Sequence, residues 1–322
     1  MKRLPDFIII GAAKCGTTTL YKKLTMHPDV FMSTPKEPEF FARDDIYLKG
    51  LDWYSDLFSS ATGNQICGEA STLYSLATLF PDIIPRMHSA VPQTKLIYVL
   101  RNPVERCFSY YVQLVKNYRK NTRDFKLHRT FDECLFPERY PKRCDRKQFF
   151  AGFDNHLPDT PELMIDGSRY MTHIKNYLSA FDRKQLLLID FQELIDDSDT
   201  VMATICNFLA LDSQKLPSNM DVKENISSAH YARADKESTR QRLLALGKKL
   251  PYGQKLIQMV PKTMKKQFLD WYTTTFKIKA KDSRPPKMSQ EAETFLRHTF
   301  QDEILELEKF WQRDLTTWKQ HF

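Results

Sequence analysis

A chain of 322 residues has room for one large α/β domain or two small ones, and its 42% hydrophobic and 27% charged content excludes a disordered or fibrous protein. The formal net charge of +8 points to an anionic ligand, a polyanion or an acidic surface, without bearing on the fold. Six scattered cysteines with no CxxC pair exclude a zinc ribbon or a disulfide scaffold; only Cys134 and Cys144 are close enough to raise a pairing, and reduced thiols are expected.

The opening "MKRLPDF" runs directly into an apolar stretch, so no signal peptide is expected, and the chain is expected to be a cytoplasmic protein or an excised catalytic domain. No apolar run approaches membrane-spanning length. Short apolar runs then alternate with helical patterns, the signature of βαβ units. The first strand is expected over Phe7–Gly11 and the first helix over Thr17–Met26, ending before Pro28. Further strands are expected over Gln65–Gly68, over "KLIYVL" at Lys95–Leu100, and over "QLLLID" at Gln185–Asp190. Pro103 suits the first turn of a helix reaching about Lys120, and two more helices are expected over Ser168–Phe181 and Asp199–Leu209. Near the C-terminus Leu296, Phe300, Ile304, Leu307 and Trp311 recur at helical spacing, which predicts a packing helix with no catalytic role.

This alternation predicts a P-loop-like three-layer α/β fold, with a mostly parallel central sheet flanked by helices. A single domain over residues 1–322 is expected, with two interruptions. One is an insertion at about 116–166 that is first basic ("KNYRKNTRDFK", "ERYPKRCDRK") and then acidic ("DNHLPDTPELMID"). The other is the region at about 211–322, which is expected to cover cofactor and substrate before ending in the packing helix.

Two stretches carry chemistry. In "FIIIGAAKCGTTTL" a buried strand ends in a glycine-spaced turn that opens a helix, presenting unpaired N–H groups and the positive end of a helix dipole. A nucleotide triphosphatase would place Lys-Ser or Lys-Thr after the second glycine. Here Gly16 is followed by Thr17, Thr18 and Thr19, and the lysine lies inside the turn at Lys14. The bland alternative, a plain βα turn with a threonine cap, requires neither the lysine nor three threonines. In "KLIYVLRNPVERCFSYY" a buried strand ends in Arg101, where an open α/β sheet binds ligands, and Ser109 follows eight residues on. An arginine in place of a magnesium-binding aspartate signals a second anion, held by a fork suited to phosphate oxygens. Two separated anion sites suggest a nucleotide with phosphates on both ends of its ribose.

These motifs resemble those of the sulfotransferases that use 3′-phosphoadenosine 5′-phosphosulfate (PAPS). "GAAKCGTTTL" is similar to their 5′-phosphosulfate loop and "YVLRNPVERCFSYY" to their 3′-phosphate motif. "STPKEPEFF" resembles the Lys-Glu-x-x-Phe-Phe segment of the carbohydrate branch, which includes the heparan sulfate enzymes, and "GEASTLYS" and Gly167–Leu194 resemble further family blocks. The resemblance implies a PAPS-dependent transferase in which Lys14, Cys15, Gly16, Thr17, Thr18 and Thr19 bind the 5′-phosphosulfate. It also implies that Arg101 and Ser109 bind the 3′-phosphate, that Lys14 stabilises the departing group, and that Glu37 beside Lys36 is the base. No metal is implied. Where the heparan enzymes carry His and Asp after that glutamate, this chain has Glu39 and Ala42, and Lys223, Asn225, Ser227 and Arg233 are loose candidates for the adenine.

Two acceptor classes compete. The expected cytoplasmic location, the altered residues after Glu37 and the acids Asp154, Asp159, Glu162 and Asp166 favour a small metabolite. A bacterial natural product, such as an alkaloid of the saxitoxin type, is one such acceptor. The basic insertion favours an acidic glycan. A P-loop kinase of small metabolites and a non-enzymatic polyanion-binding protein are the alternatives outside the family; neither nucleic acid nor membrane is an expected partner, and the oligomeric state is left open.

Overall fold

The computed structural model describes residues 3–121, 130–139, 160–217 and 287–319. Five short strands form one sheet: β1 (Phe7–Gly11), β2 (Val30–Met32), β3 (Ile66–Ala70), β4 (Lys95–Leu100) and β5 (Leu186–Asp190). Their order is β2-β3-β1-β4-β5, and every pair is parallel. Both central strands are buried along almost their whole length, the condition under which parallel strands read as unbroken apolar runs such as "FIII" and "KLIYVL".

Helices α1 (Thr17–Thr25), α2 (Asp44–Tyr47), α3 (Gly50–Asp56), α4 (Ile83–Ala90) and α5 (Pro103–Asn121) connect the first four strands and leave β4. They are followed by α6 (Phe131–Leu135), α7 (Thr160–Asp166), α8 (Tyr170–Leu178), α9 (Phe191–Asp196), α10 (Ser198–Leu209), α11 (Gln290–Trp311) and α12 (Thr316–Lys319). The start of α5 shows why the sequence folds this way. The Asn102 side chain accepts from the Val104 N–H at 3.0 Å, and Pro103 occupies the position where a missing N–H costs nothing. On α11, Leu296, Phe300, Ile304 and Leu307 are buried as their spacing predicts, whereas Trp311 is only half-buried. Glu303 of α11 accepts from the Met171 and Thr172 N–H groups at 2.9 and 3.1 Å, which caps the first turn of α8.

Several expected boundaries shift. The third strand runs to Ala70 instead of ending at Gly68, and the helix expected over Ser168–Phe181 narrows to Tyr170–Leu178. Strand β2 has only three residues, too few to show a period. The described parts of the insertion are helical at both ends, in α5 to Asn121 and in α6 and α7. Residues Met1–Tyr111, Arg129–Glu224 and Met288–Phe322 make one compact unit. The second unit, Val112–His128 and Asn225–Lys287, is described only through the end of α5 and Lys287. Because β1 connects towards β2 and β4 towards β5, on opposite sides, the carboxyl ends of β1 and β4 flank the crevice where open α/β sheets hold ligands.

Candidate active site

The turn after β1 is built around three backbone features. Lys14 has φ 74°, and Gly16 has φ 80° as the residue that opens α1. The Cys15 N–H closes the turn on the Ala12 carbonyl at 3.2 Å, and the Ala12 N–H bonds the Val99 carbonyl of β4 at 2.9 Å. The first helical bond runs from the Leu20 N–H to the Gly16 carbonyl, so the N–H groups of Thr17, Thr18 and Thr19 have no partner within the helix. No side chain caps α1 and no acid lies in its first turn, whereas its last turn carries Lys22 and Lys23. Thr17 and Thr19 are buried and Thr18 is half-exposed. A Cβ on Gly16 would approach the Phe191 ring to 3.0 Å, so glycine there answers both the left-handed backbone and a close neighbour.

Cys15 turns inward. Its sulfur lies 3.9 Å from the Tyr170 hydroxyl, and burial pushes the thiol up to about 11, so it stays neutral and packs. The Tyr170 hydroxyl donates in turn to the Arg101 carbonyl at 2.8 Å, placing one side chain of α8 between the two expected anion loops. Arg101 emerges from β4 with its guanidinium 4.9 Å from the Phe191 ring centre, and its Nε and Nη2 donate to Glu105 Oε2 at 3.1 and 2.8 Å. Glu105 is exposed, and such a pair is worth about 0.5 kcal/mol, little enough for a phosphate to displace the carboxylate. Ser109 lies on α5 and is half-exposed.

Glu37 belongs to a loop laid along the end of β3. Its N–H bonds the Ala70 carbonyl at 2.9 Å, the Glu39 N–H bonds Ser71 Oγ at 3.1 Å, and the Phe41 N–H bonds the Tyr74 hydroxyl at 3.2 Å. Ser71 also donates to the buried Glu69 at 2.6 Å, which bonds the Tyr54 hydroxyl as well. The Ser71 N–H reaches back to the Ile9 carbonyl of β1 at 3.1 Å. The segment "GEASTLY" thus ties the Glu37 loop to β1, the strand that leads into the Lys14 turn. Glu37 and Glu39 have φ 64° and 57°, and Lys36 Nζ contacts Glu37 Oε1 at 2.5 Å. Burial, and secondarily the Glu37 charge, push Glu39 up to about 7, against the pull of Arg43. Burial raises the pKa of the Tyr110 hydroxyl, against the pull of the Arg106 charge.

Sequence reasoning missed Arg106, Tyr170, Phe191 and Glu105. All four lie inside quoted blocks, yet read as ordinary helix residues. Only for Phe191 was there a positional signal, as the first residue past the carboxyl end of β5. Asp166, one of the acids offered to a cationic acceptor, is instead engaged by Thr78 at 2.5 Å and by His173 at 3.3 Å. Asp154, Asp159, Cys144, Lys223, Asn225, Ser227 and Arg233 lie outside the described residues, as does the side chain of Glu162.

The sequence matches the sulfotransferase domain family over residues 4–304. A bifunctional heparan sulfate N-deacetylase/N-sulfotransferase 4 of Mus musculus is 27% identical over 320 residues, covering 96% of this chain and 30% of that protein. A heparan sulfate glucosamine 3-O-sulfotransferase 3B1 of Homo sapiens is 34% identical over 210 residues, covering 65% of this chain and 47% of that protein. The chain therefore spans less than half the length of these curated relatives. Among solved structures, a sulfotransferase from Alicyclobacillus acidocaldarius superposes with a TM-score of 0.60 at 24% identity, covering 99% of this chain and all of that one, which shows a shared fold.

Proposed function

Since the chain belongs to the sulfotransferase domain family, we propose that it transfers a sulfonate group from PAPS to a hydroxyl or amine of a small metabolite. The observation that carries this reading is the uncapped, acid-free start of α1 behind the left-handed Lys14, together with Arg101 at the end of the neighbouring parallel strand. Those donors fit a nucleotide with phosphates at both ends of its ribose. Lys14, the Gly16 turn and the N–H and hydroxyl groups of Thr17–Thr19 would hold the 5′-phosphosulfate; Arg101 and Ser109 would hold the 3′-phosphate. The family match runs through both compact units, which supports reading 1–322 as one domain with an insertion at about 116–166 and a covering region at about 211–322.

PAPS supplies the sulfonate, whose bond to the bridging oxygen breaks as a new bond forms to the acceptor oxygen or nitrogen. Lys14 offsets the charge gathering on that bridging oxygen, and the α1 amides offset the charge on the phosphate they hold. Glu37 takes the acceptor proton, and Lys36 Nζ contacts its carboxylate at 2.5 Å. Positive charge from Lys14 and the helix end does the work a divalent metal does for phosphoryl transfer, so no metal enters this scheme. The buried Cys15, Cys67, Cys107 and Cys206 thiols suit a reducing, cytoplasmic compartment.

Glu39 favours a small acceptor, neutral or cationic (the saxitoxin-type alkaloids being one cationic kind), because a second acid beside the base, ionised in part near neutral pH, disfavours an acidic chain. The glycan reading rests on the net charge of +8 and on what the curated relatives act on by name. An acceptor screen with PAPS, read by the mass gain of one sulfonate, decides between them. Thermal shift tests the donor. Adenosine 3′,5′-bisphosphate at a hundredfold excess over its dissociation constant adds about 2.7 kcal/mol of stability, well beyond AMP or ATP, and equal shifts from ATP return the kinase alternative.

A further inference from the structure

Arg106 is the largest side chain that is wholly buried, and no carboxylate among the described residues pairs with it. Its Nε donates to the Ala13 carbonyl at 3.1 Å. Its Nη1 donates to the Met164 carbonyl at 2.9 Å and to Ser168 Oγ at 3.1 Å, at the corner between α7 and α8. Gly167 at that corner leaves the space it fills, since a Cβ there would stand 2.6 Å from Nη2. The Tyr110 ring centre lies 4.9 Å from its guanidinium carbon. Nη2 itself is buried with no hydrogen-bond partner among the described residues. A buried cation with an unsatisfied nitrogen is an expensive way to fill a core, and an apolar side chain of similar volume would do that better.

We propose that Arg106 is a positioning residue of the donor site: by drawing the Ala13 carbonyl inward, it aims the Lys14 N–H outward at the bound 5′-phosphosulfate. The Ala13–Lys14 peptide is trans, so its C=O and N–H point to opposite sides of one plane. A strong donor on the carbonyl therefore fixes the amide direction as well. Lys14 at φ 74° can hold that orientation only where its surroundings impose it. The guanidinium also brings positive charge beneath a loop meant for an anion, where burial limits its screening by solvent.

This inference rests on the donor reading above, and its test separates the two. Calorimetry would compare adenosine 3′,5′-bisphosphate with adenosine 3′-monophosphate, which lacks the 5′ group, on the wild type and on Arg106→Gln. The substitution should weaken the bisphosphate about tenfold or more, the worth of one misdirected hydrogen bond to a charged group. The 3′-monophosphate, held through Arg101 and Ser109, should bind the variant as it binds the wild type. A merely structural role would lower the melting temperature and leave the ratio of the two affinities unchanged. Arg106→Lys, which keeps the charge and part of the reach, carries the same comparison if the Gln variant does not fold, with a smaller selective loss expected. Equal losses for both nucleotides, or none, overturn the inference alone. A wild-type protein that binds neither nucleotide overturns the donor reading, and the inference with it.

Discussion

Lys14, Glu37 and Glu39 all hold positive φ, a conformation that costs an L-residue about 1–3 kcal/mol each. That strain gathers on a lysine and two glutamates whose amides or neighbours are pinned by β3, Ser71 and Arg106, so the tertiary frame imposes it. Lys14→Ala should lower kcat for every acceptor, because it removes charge from the leaving oxygen whatever the acidity of the attacking group. Glu37→Gln keeps the shape and should cut kcat about 10²–10⁴-fold while leaving bisphosphate affinity nearly intact. Its effect should shrink for an acceptor with an acidic hydroxyl, and near wild-type turnover with a weakly acidic one would remove Glu37 from the base role. Glu39 gives a pH signature. Its folded pKa, about 7, lies above the ordinary 4.5, so the fold binds this proton more tightly than the unfolded chain. The stability it contributes is present below about pH 4.5 and is lost as pH rises through 7. Melting curves of Glu39→Gln should therefore show the variant gaining on the wild type between pH 5 and pH 8.

The loop over Ser33–Ala42 has no regular hydrogen-bonding partner of its own, and the segment that follows β3 supplies one. Three successive contacts, from Glu37 to Ala70, from Glu39 to Ser71 and from Phe41 to Tyr74, pin it residue by residue. Below them Phe40 stacks on Tyr54 with centroids 4.3 Å apart, which anchors the loop in the core. The buried Glu69 depends on the same bracket, because burial raises its pKa and Ser71 and Tyr54 bond to it. Ser71→Ala should cost about 1–3 kcal/mol by stranding the Glu39 N–H and one Glu69 oxygen. Its kinetic mark should be a fall in kcat with little change in donor KM, since the α1 loop does not hang on that hydroxyl. A larger loss in donor KM than in kcat would show that the bracket serves the nucleotide instead.

For the whole molecule, the net charge of +8 bears on the acceptor more than on the donor. Between 50 and 200 mM salt, the acceptor KM of a small-metabolite enzyme should change little, because one or two charges are screened modestly. A glycan acceptor would release many counterions, and KM would rise steeply over the same range. If Lys14 and the α1 amides carry the charge a metal would, as proposed, turnover in excess EDTA should match that in buffer alone. Loss of activity restored by magnesium would overturn that scheme and favour phosphoryl transfer.

What the chain determines by itself is local and periodic. Buried parallel strands are unbroken apolar runs, so β1, β4 and β5 were legible nearly to the residue. Pro103 and the leucine–phenylalanine spacing of α11 marked helices for equally local reasons. Lys14 and Gly16 stand out as candidates because a strand–turn–helix with displaced lysine is a contiguous pattern, and Arg101 because it follows an unbroken apolar strand. The supports of that pattern are not contiguous. Arg106 reaches Ala13 across 93 residues and Ser168 across 62, and the Tyr170 hydroxyl meets the Arg101 carbonyl across 69. None of these contacts leaves a period or a spacing in the sequence. Each becomes visible only when the sheet order brings β1 beside β4 and packs α5 and α8 against their carboxyl ends. That packing, and the bond from the Ser71 N–H to the Ile9 carbonyl of β1, are decided by the tertiary structure alone.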